Sequence, residues 1–363
     1  MATRWPAVLA GALAAAAPPA VGQAIPDSTM VAHFIDVGQG AAALLEFSCG
    51  AVMIDAGGQD AEDVDRLVAY LGEFFRRRTD LDSTIATLLI SHNHVDHTLG
   101  LRRVVETFRV ERVVEHGRRG GRGDRGDAGL VWLAAELAAG RYPGSVTDID
   151  DEDITSDAGL VTAEVDPVDC AGTNPAIAVL SADLAENPGW TKKDFKDKNH
   201  HSLVVRVDFG RASFLFTGDL EVPAIETMLE YYAGSPMLDA DVYHVGHHGS
   251  DNATTWELLD AVAEPAIAVV SVGECTRDVG QFNAFQFGHP RAEVVDMLRA
   301  VIRRRRSTPK RVPVADGQRD FRRTVTMRDA VYATGWDGTI RIEATAGGRY
   351  VVRIVKQETP AAC

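Results

Sequence analysis

The stretch "LLISHNHVDHTLG", residues 88–100, sets an apolar run directly against His92, His94, Asp96 and His97. "TIATLLI" (residues 84–90) is apolar and bounded by polar residues, as a buried strand is. The four polar residues therefore lie on the loop at that strand's C-terminal end, where open α/β architectures place function. In an extended loop, residues i and i+2 point the same way, so His92 and His94 can face one ion. Asp96 and His97 are adjacent on the turn into the next helix and can reach a second. Neutral imidazole and carboxylate are the usual ligands of zinc and similar divalent ions. A lone histidine is more often a satisfied core or surface residue, but four such groups in six positions are hard to explain by packing.

Outward from this stretch, strands and helices alternate. Residues 31–37, 42–47 and 51–58 read as short strands separated by glycine-containing turns. Residues 61–78, "AEDVDRLVAYLGEFFRRR", read as an amphipathic helix that opens with acids and closes with arginines, as the helix dipole favours. Residues 100–108 read as a helix behind the histidine loop and 110–116 as the next strand. The segment 117–129 is a glycine-rich charged loop without phosphate-loop spacing, followed by a helix over 130–139. Residues 143–158 are acidic and turn-rich, and strands are expected over 158–168 and 176–183. A polar insertion, "LAENPGWTKKDFKDKN", leads into two strands (201–210 and 212–219) that form a hairpin with Gly210 at the turn. A helix (224–232), a strand (240–246), a helix (254–263) and a strand (266–273) follow. After a helix over 291–305, residues 324–355 read as strands and a turn. Two mixed sheets packed together with helices outside both faces use this order well.

The whole chain fits that picture. It has 363 residues, 45% hydrophobic and 25% charged, which suits a soluble α/β protein with a large core. A formal charge of −15 argues against a dedicated high-affinity nucleic-acid binder. The arginine clusters at 76–78, 118–125 and 303–306 read as solvated faces. Residues 1–24, with an early Arg4, a short Ala/Leu/Val run and then small residues, have the layout of a secretory signal peptide cleaved after Ala24 or Ala20. The expected mature unit is one domain over 28–357, secreted or periplasmic, with no membrane span and no protein partner. Cys49, Cys170, Cys275 and Cys363 lack CxxC spacing, so a cysteine zinc site is disfavoured. An oxidising compartment allows one or two disulfides; sequence leaves the pairing open, with Cys49–Cys170 the one favoured.

Other polar residues fall at the ends of apolar segments: Asp55, Asp219, the pair His247 and His248, and the pair His200 and His201. Each alone fits a cap or a turn. Together they offer what a two-metal site still needs, a bridging carboxylate and further imidazoles.

At this point the chain resembles a family. Residues 92–97 match the HxHxDH signature of the metallo-β-lactamase superfamily. "FIDVGQG" (34–40), "MIDAGG" (53–58), "SLVVRV" (202–207), "LFTGD" (215–219), "ADVYHVGHHGS" (240–250), "FGHP" (287–290) and "VYATGWDGTI" (331–340) occur in an order that resembles the soluble metallo-β-lactamase-like domain of ComEC competence proteins. The membrane channel of those proteins has no counterpart here, so DNA import is not implied. The resemblance implies an αββα sandwich of class α/β (α+β). It also implies two divalent metal ions, with zinc favoured and manganese also suited. His92 and His94 would hold the first ion, Asp96, His97 and His247 the second, and Asp219 would bridge them. Asp55 would orient the ligand loop from behind. The third ligand of the first ion is expected near the strand "SLVVRV", with His201 taken as its site and His200 and Asn199 as alternatives. Asp96, His248 and His289 are the candidates for handling protons or an oxyanion, and for His289 the alternative is structuring the Gly-His-Pro turn. The chain departs from the family pattern at Ala41, Asn93, Val95, Thr98 and Leu99, none of them a primary ligand.

The expected activity is metal-assisted hydrolysis of a small-molecule or nucleic-acid substrate. Phosphodiester cleavage is favoured, because a bridging aspartate accompanies phosphoester, thioester and lactone hydrolysis in the superfamily. A carbonyl ester, lactone or β-lactam hydrolase is the alternative, although true β-lactamases lack that aspartate. A third is a non-catalytic metal- or ligand-binding protein on the same scaffold.

Overall fold

The computed structural model describes residues 24–120, 124–276 and 283–355. Two large sheets lie face to face. The first has eight strands in the spatial order Tyr350–Val355, Thr339–Thr345, Thr29–Phe34, Ala42–Glu46, Ala51–Ala56, Thr87–Leu89, Arg112–Glu115, Ser145–Asp148. Its first five strands pair antiparallel, and from Ala51–Ala56 onward the pairing is parallel. The second has six strands in the order Val331–Ala333, Ile267–Val270, Val242–His244, Ala212–Phe216, Val204–Phe209, Ala176–Ser181. The first four of these run parallel and the last two complete an antiparallel meander.

Alternation along the strands explains the layering. Successive strand residues face opposite sides of a sheet. Leu45, Ile54 and Leu89 therefore enter the core between the sheets, while Leu44, Met53 and Leu88 enter the core beneath the outer helices. The stacked rings of Phe34 and Phe216, 5.8 Å apart, join the two sheets. Helices Ala61–Arg77, Leu101–Thr107 and Asp127–Ala138 cover the first sheet, with Leu67, Leu71, Val104 and Leu133 buried. Helices Val222–Tyr231, Trp256–Ala261 and Ala292–Val301 bury Ile225, Leu258 and Val295 against the other core. The helix Ala61–Arg77 starts on Asp60, whose side chain accepts from the amides of Glu62 and Asp63, and ends on Arg76 and Arg77. The result is the expected αββα sandwich.

Three expectations are corrected. Residues 158–168 do not form a strand: apart from a bridge between Leu160 and Val179, the segment folds into a turn in which the Thr162 carbonyl accepts from Val165 and Asp166. The helix expected to reach residue 305 stops at Val301, and Arg305–Val314 forms a strand paired with Arg323–Asp329. Pro309 cannot continue a helix, and Val312 and Val314 alternate inward as a strand requires. A short helix, Thr334–Asp337, interrupts the final run of strands.

The hairpin between Val204–Phe209 and Ala212–Phe216 forms as expected, with Gly210 at φ 63°. A disulfide joins Cys49 to Cys170, the pairing favoured from sequence, and ties a strand turn to the segment leading into Ala176–Ser181. The leader lies outside the described residues except for Ala24, as do residues 356–363 with Cys363. No described helix is long and apolar enough to cross a membrane.

Candidate metal centre

The candidate ligands converge because the strands that carry them end at one rim of the sandwich. Asp55 sits at the end of Ala51–Ala56 with a left-handed backbone, φ 59°. Its carboxylate accepts from the Ser91 amide at 2.7 Å, the Ser91 hydroxyl at 2.8 Å and His97 Nδ1 at 2.7 Å. One buried side chain thus fixes both ends of the histidine loop. Glycine is required where other backbone meets this loop. A Cβ on Gly57 would lie 1.7 Å from the Asp96 carbonyl oxygen, and one on Gly126 would lie 1.9 Å from that of Asn93. Asn93 Nδ2 donates to the Arg118 carbonyl and the Asp127 carboxylate, which also accepts from Lys198 Nζ at 2.7 Å. The departure from the family pattern at Asn93 is therefore a buried clamp beneath the loop.

Asp219, three residues beyond Ala212–Phe216, stands at the centre. Its Oδ1 lies 3.1 Å from His97 Nε2. Its Oδ2 lies 3.6 Å from His248 Nε2, 3.8 Å from His92 Nε2 and 3.8 Å from His247 Nε2. His248 Nε2 is also 3.3 Å from Asp96 Oδ2. One potential ligand atom each from Asp96, His97, Asp219 and His248 lies within 4.8 Å of the others. On the other side, His92 Nε2 and His94 Nδ1 are 3.1 Å apart. The buried Nε2 atoms of His97 and His248 have no aligned hydrogen-bond partner despite these short approaches. Donors that converge on a shared point without bonding one another fit a cation between them. The residues present therefore suit a divalent ion.

The charge balance agrees. Burial opposes charge on Asp219, but His97, His248 and His247 hold its carboxyl well below the usual carboxylate range. Burial likewise opposes charge on Asp96, yet the close approach of His248 and the nearby His97 keep it low. Burial disfavours protonated His97, but Asp219 and Asp55 hold it well above the ordinary histidine value. His247 is similarly raised to about 9, with Asp219 and Glu221 outweighing burial. His92 is driven well below its usual value by burial and by His97, which leaves a neutral imidazole able to donate a lone pair. Buried Asp55 and Asp219 and the half-buried Asp96 thus face a set of imidazoles that draw protons to offset them, and a divalent cation would serve the same balance.

These residues open onto a cleft of about 480 Å³ whose walls include His94, Asp96, Asp219, His247, His248 and His289. His289 lies with its ring 5.5 Å from that of His247, its Nδ1 buried without a partner, and burial followed by His247 and His248 keeps it well below the usual histidine value. Two sequence assignments change. His201 is not brought to the cluster: its Nδ1 contacts Asp183 at 2.6 Å and its Nε2 the Phe195 carbonyl at 2.9 Å, so both ring nitrogens are engaged elsewhere. Asn199 lines the cleft instead, with its Oδ1 buried and unpartnered. His247 and His248 exchange places: His248 joins Asp96, His97 and Asp219, while His247 turns its Nδ1 toward Glu221 Oε1 at 3.2 Å. Successive left-handed residues, φ 46° at His247 and 54° at His248, produce this reversal.

Sequence reading missed Ser91, Glu221, Gln39 and Arg125. Ser91 immediately precedes the histidine loop and is bonded to Asp55. Glu221 follows Asp219 by two positions, accepts from Asn199 Nδ2 at 2.8 Å and lines the cleft. Gln39 and Arg125 line the same cleft. Ser91 and Glu221 adjoin motifs that the sequence singles out, and Gln39 lies within one.

Comparison with known proteins identifies the family. Residues 35–274 match the metallo-beta-lactamase superfamily profile. ComE operon protein 3 of Bacillus subtilis is 32% identical over 105 residues, 29% of this chain and 12% of that protein. Competence protein ComA of Neisseria gonorrhoeae is 36% identical over 104 residues, 29% of this chain and 13% of that protein. The chain thus matches only a small part of these curated relatives. Among solved structures, human tRNase Z, short form, aligns over 76% of this chain and 89% of its own at 13% identity and a TM-score of 0.36. The fold protein YhfI of Bacillus subtilis aligns over 76% and 94% at 10% identity and a TM-score of 0.36. With its sandwich fold, its histidine loop and a profile match over most of its length, the chain belongs to the metallo-beta-lactamase superfamily, whose members are hydrolases.

Proposed function

We propose that residues 28–357 form a hydrolase that binds two divalent metal ions and cleaves phosphodiester bonds. The observation that carries this reading is the position of the Asp219 carboxylate. One oxygen faces His97, and the other faces both His248 and His92, so a single side chain serves two neighbouring donor groups. His92 Nε2 and His94 Nδ1 would hold the first ion, with Asn199 Oδ1 the available neighbour from the turn that leads into Val204–Phe209. Asp96, His97 and His248 would hold the second, with Asp219 shared.

Bound divalent ions supply Lewis acidity and a water-derived nucleophile at neutral pH. The protein supplies the rest. Asp55 favours a proton on His97 Nδ1, so that Nε2 is the nitrogen that would face an ion once the ion replaces its own proton. Asp96, beside His248, can receive a proton from the attacking water, and neutral His289 can hydrogen-bond a substrate oxygen. Arg125 adds a positive charge at the cleft wall, suited to a phosphate oxygen. Zinc fits the nitrogen and oxygen donor set, and manganese fits it as well. Secretion or a periplasmic location follows from the leader-like residues 1–24 and agrees with a disulfide, which persists in oxidising compartments.

The test uses purified protein of known metal content, assayed on bis-p-nitrophenyl phosphate, DNA, a lactone and a cephalosporin, with and without Asp219→Ala. Hydrolysis of the phosphodiesters that is lost in the variant supports the reading. Hydrolysis of only the carbonyl substrates rejects it, and full metal occupancy without turnover points to a binding protein.

A further inference from the structure

Beside the metal cleft lies a smaller cavity of about 150 Å³ with a predominantly apolar lining. One wall is the helix Val222–Tyr231, which starts at Glu221 on the cleft and turns Ala224, Thr227, Met228 and Tyr231 into the cavity at helical spacing. At a rise of about 1.5 Å per residue, these positions lie roughly 5–15 Å along the helix from Glu221. The facing wall carries Trp190, from the middle of the polar insertion. Asn187 holds Trp190 in place: its Oδ1 accepts from the Trp190 amide at 2.7 Å, and its Nδ2 donates to the Trp190 carbonyl at 3.1 Å. Tyr232 is fixed by its hydroxyl, which donates to the Leu180 carbonyl at 3.0 Å, and Tyr231 by its own, which donates to the Ile154 carbonyl at 3.3 Å.

His200 stands between the two cavities. It lines the smaller one, and its ring lies 5.5 Å from that of Trp190. Its Nε2 is 3.8 Å from Glu221 Oε2 on the cleft side. The side chain is 3% exposed and its Nδ1 has no partner. A buried, unpartnered ring nitrogen in a rigid aromatic wall is costly unless something completes it. An apolar cavity near 150 Å³ holds about one benzene-sized ring.

We propose that this cavity binds one six-membered aromatic ring of the substrate, of the size of a pyrimidine base, while the scissile group occupies the metal cleft. The ring stacks among Trp190, Tyr231 and Tyr232, and His200 bonds its polar edge. The assignment rests on the phosphodiester reading, because a base joined to a scissile phosphate spans two neighbouring pockets. Preformed aromatic walls favour a planar group over a flexible acyl chain.

Binding of thymidine and adenosine, neither carrying a phosphate, is measured by calorimetry or saturation-transfer NMR on the metal-free and metal-loaded chain. Thymidine is expected to bind both forms alike and more tightly than adenosine, whose two fused rings exceed the cavity. Ala224→Phe, which fills it, and Tyr231→Ala, which removes a wall at a half-exposed surface, should each weaken thymidine about tenfold. Asp219→Ala should leave it unchanged. The Tyr231 variant keeps the test meaningful should the Ala224 variant fold poorly. Thymidine binding that is absent, or insensitive to Tyr231→Ala, overturns the proposal whatever the enzyme hydrolyses. Thymidine binding by a protein that cleaves no phosphodiester retains the pocket and rejects the proposed reaction.

Discussion

Asp55 Oδ2 accepts a hydrogen bond from His97 Nδ1 at 2.7 Å, and the opposite nitrogen of that ring faces Asp219 at 3.1 Å. The carboxylate therefore sets which nitrogen of His97 is offered to the centre. Asp55→Asn keeps the size but removes the charge that favours this tautomer. Metal affinity measured by competition with a chelator is expected to fall about 10–100-fold, the usual cost of losing such a partner. Unchanged affinity would show that His97 is oriented by packing alone.

His248 and His247 make opposite predictions. His248→Ala removes an imidazole within the Asp96, His97 and Asp219 group and should leave roughly one fewer bound ion per chain by elemental analysis. His247→Ala removes an imidazole at the margin and should keep the metal content. His201→Ala should keep it too, since both nitrogens of that ring are engaged by Asp183 and Phe195. Loss of an ion in the His247 or His201 variant, with retention in His248→Ala, would restore the family-derived assignment.

These three histidines show where sequence reading stops. The apolar run before His92 and the i, i+2 spacing of His92 and His94 are local, so the loop and its place at a strand end were legible. Asp55 and Asp219 were legible because each closes an apolar run of sequence. The choice between His247 and His248 depends on two consecutive left-handed residues, which no apolar period records. The fate of His201 depends on Asp183 and Phe195, contributed by a neighbouring strand end and the polar insertion. Arg305–Val314 was missed because its arginines extend the helical pattern of the preceding segment, while its inward-facing valines lie beyond Pro309.

Away from the centre, Glu46 is fully buried between His33, at 3.1 Å, and Arg78, at 2.9 Å. Burial alone would raise its pKa, but His33 and Arg78 lower it to about 2. A carboxylate whose folded pKa is depressed contributes stability above its unfolded value, near 4.5, and loses it as pH falls through about 2. The pair of values corresponds to roughly 3 kcal/mol. Urea titrations at several pH values between 7 and 2 should show stability declining across that window. In Glu46→Gln this component of the decline should disappear, and the variant should be less stable at pH 7 because Arg78 keeps a buried charge without its anion. An identical pH profile in the variant would remove Glu46 as a source of acid sensitivity.

The Cys49–Cys170 bridge closes a loop with a sequence separation of 121. Replacing both cysteines by alanine should lower unfolding stability by about 2–5 kcal/mol, chiefly by freeing the unfolded chain. Urea denaturation of the parent and the double variant, both without reductant, should show this difference. Equal stability of oxidised parent and double variant would contradict it.

The central claim is that Asp219 is shared by two metal sites, and metal stoichiometry in Asp219→Ala tests it most directly. Protein reconstituted with zinc or manganese and freed of excess ion should carry about two ions per chain in the parent. The Asp219→Ala variant should retain at most one, with phosphodiester hydrolysis reduced by several orders of magnitude. Two ions retained in a folded Asp219→Ala protein, with hydrolysis intact, would contradict the account.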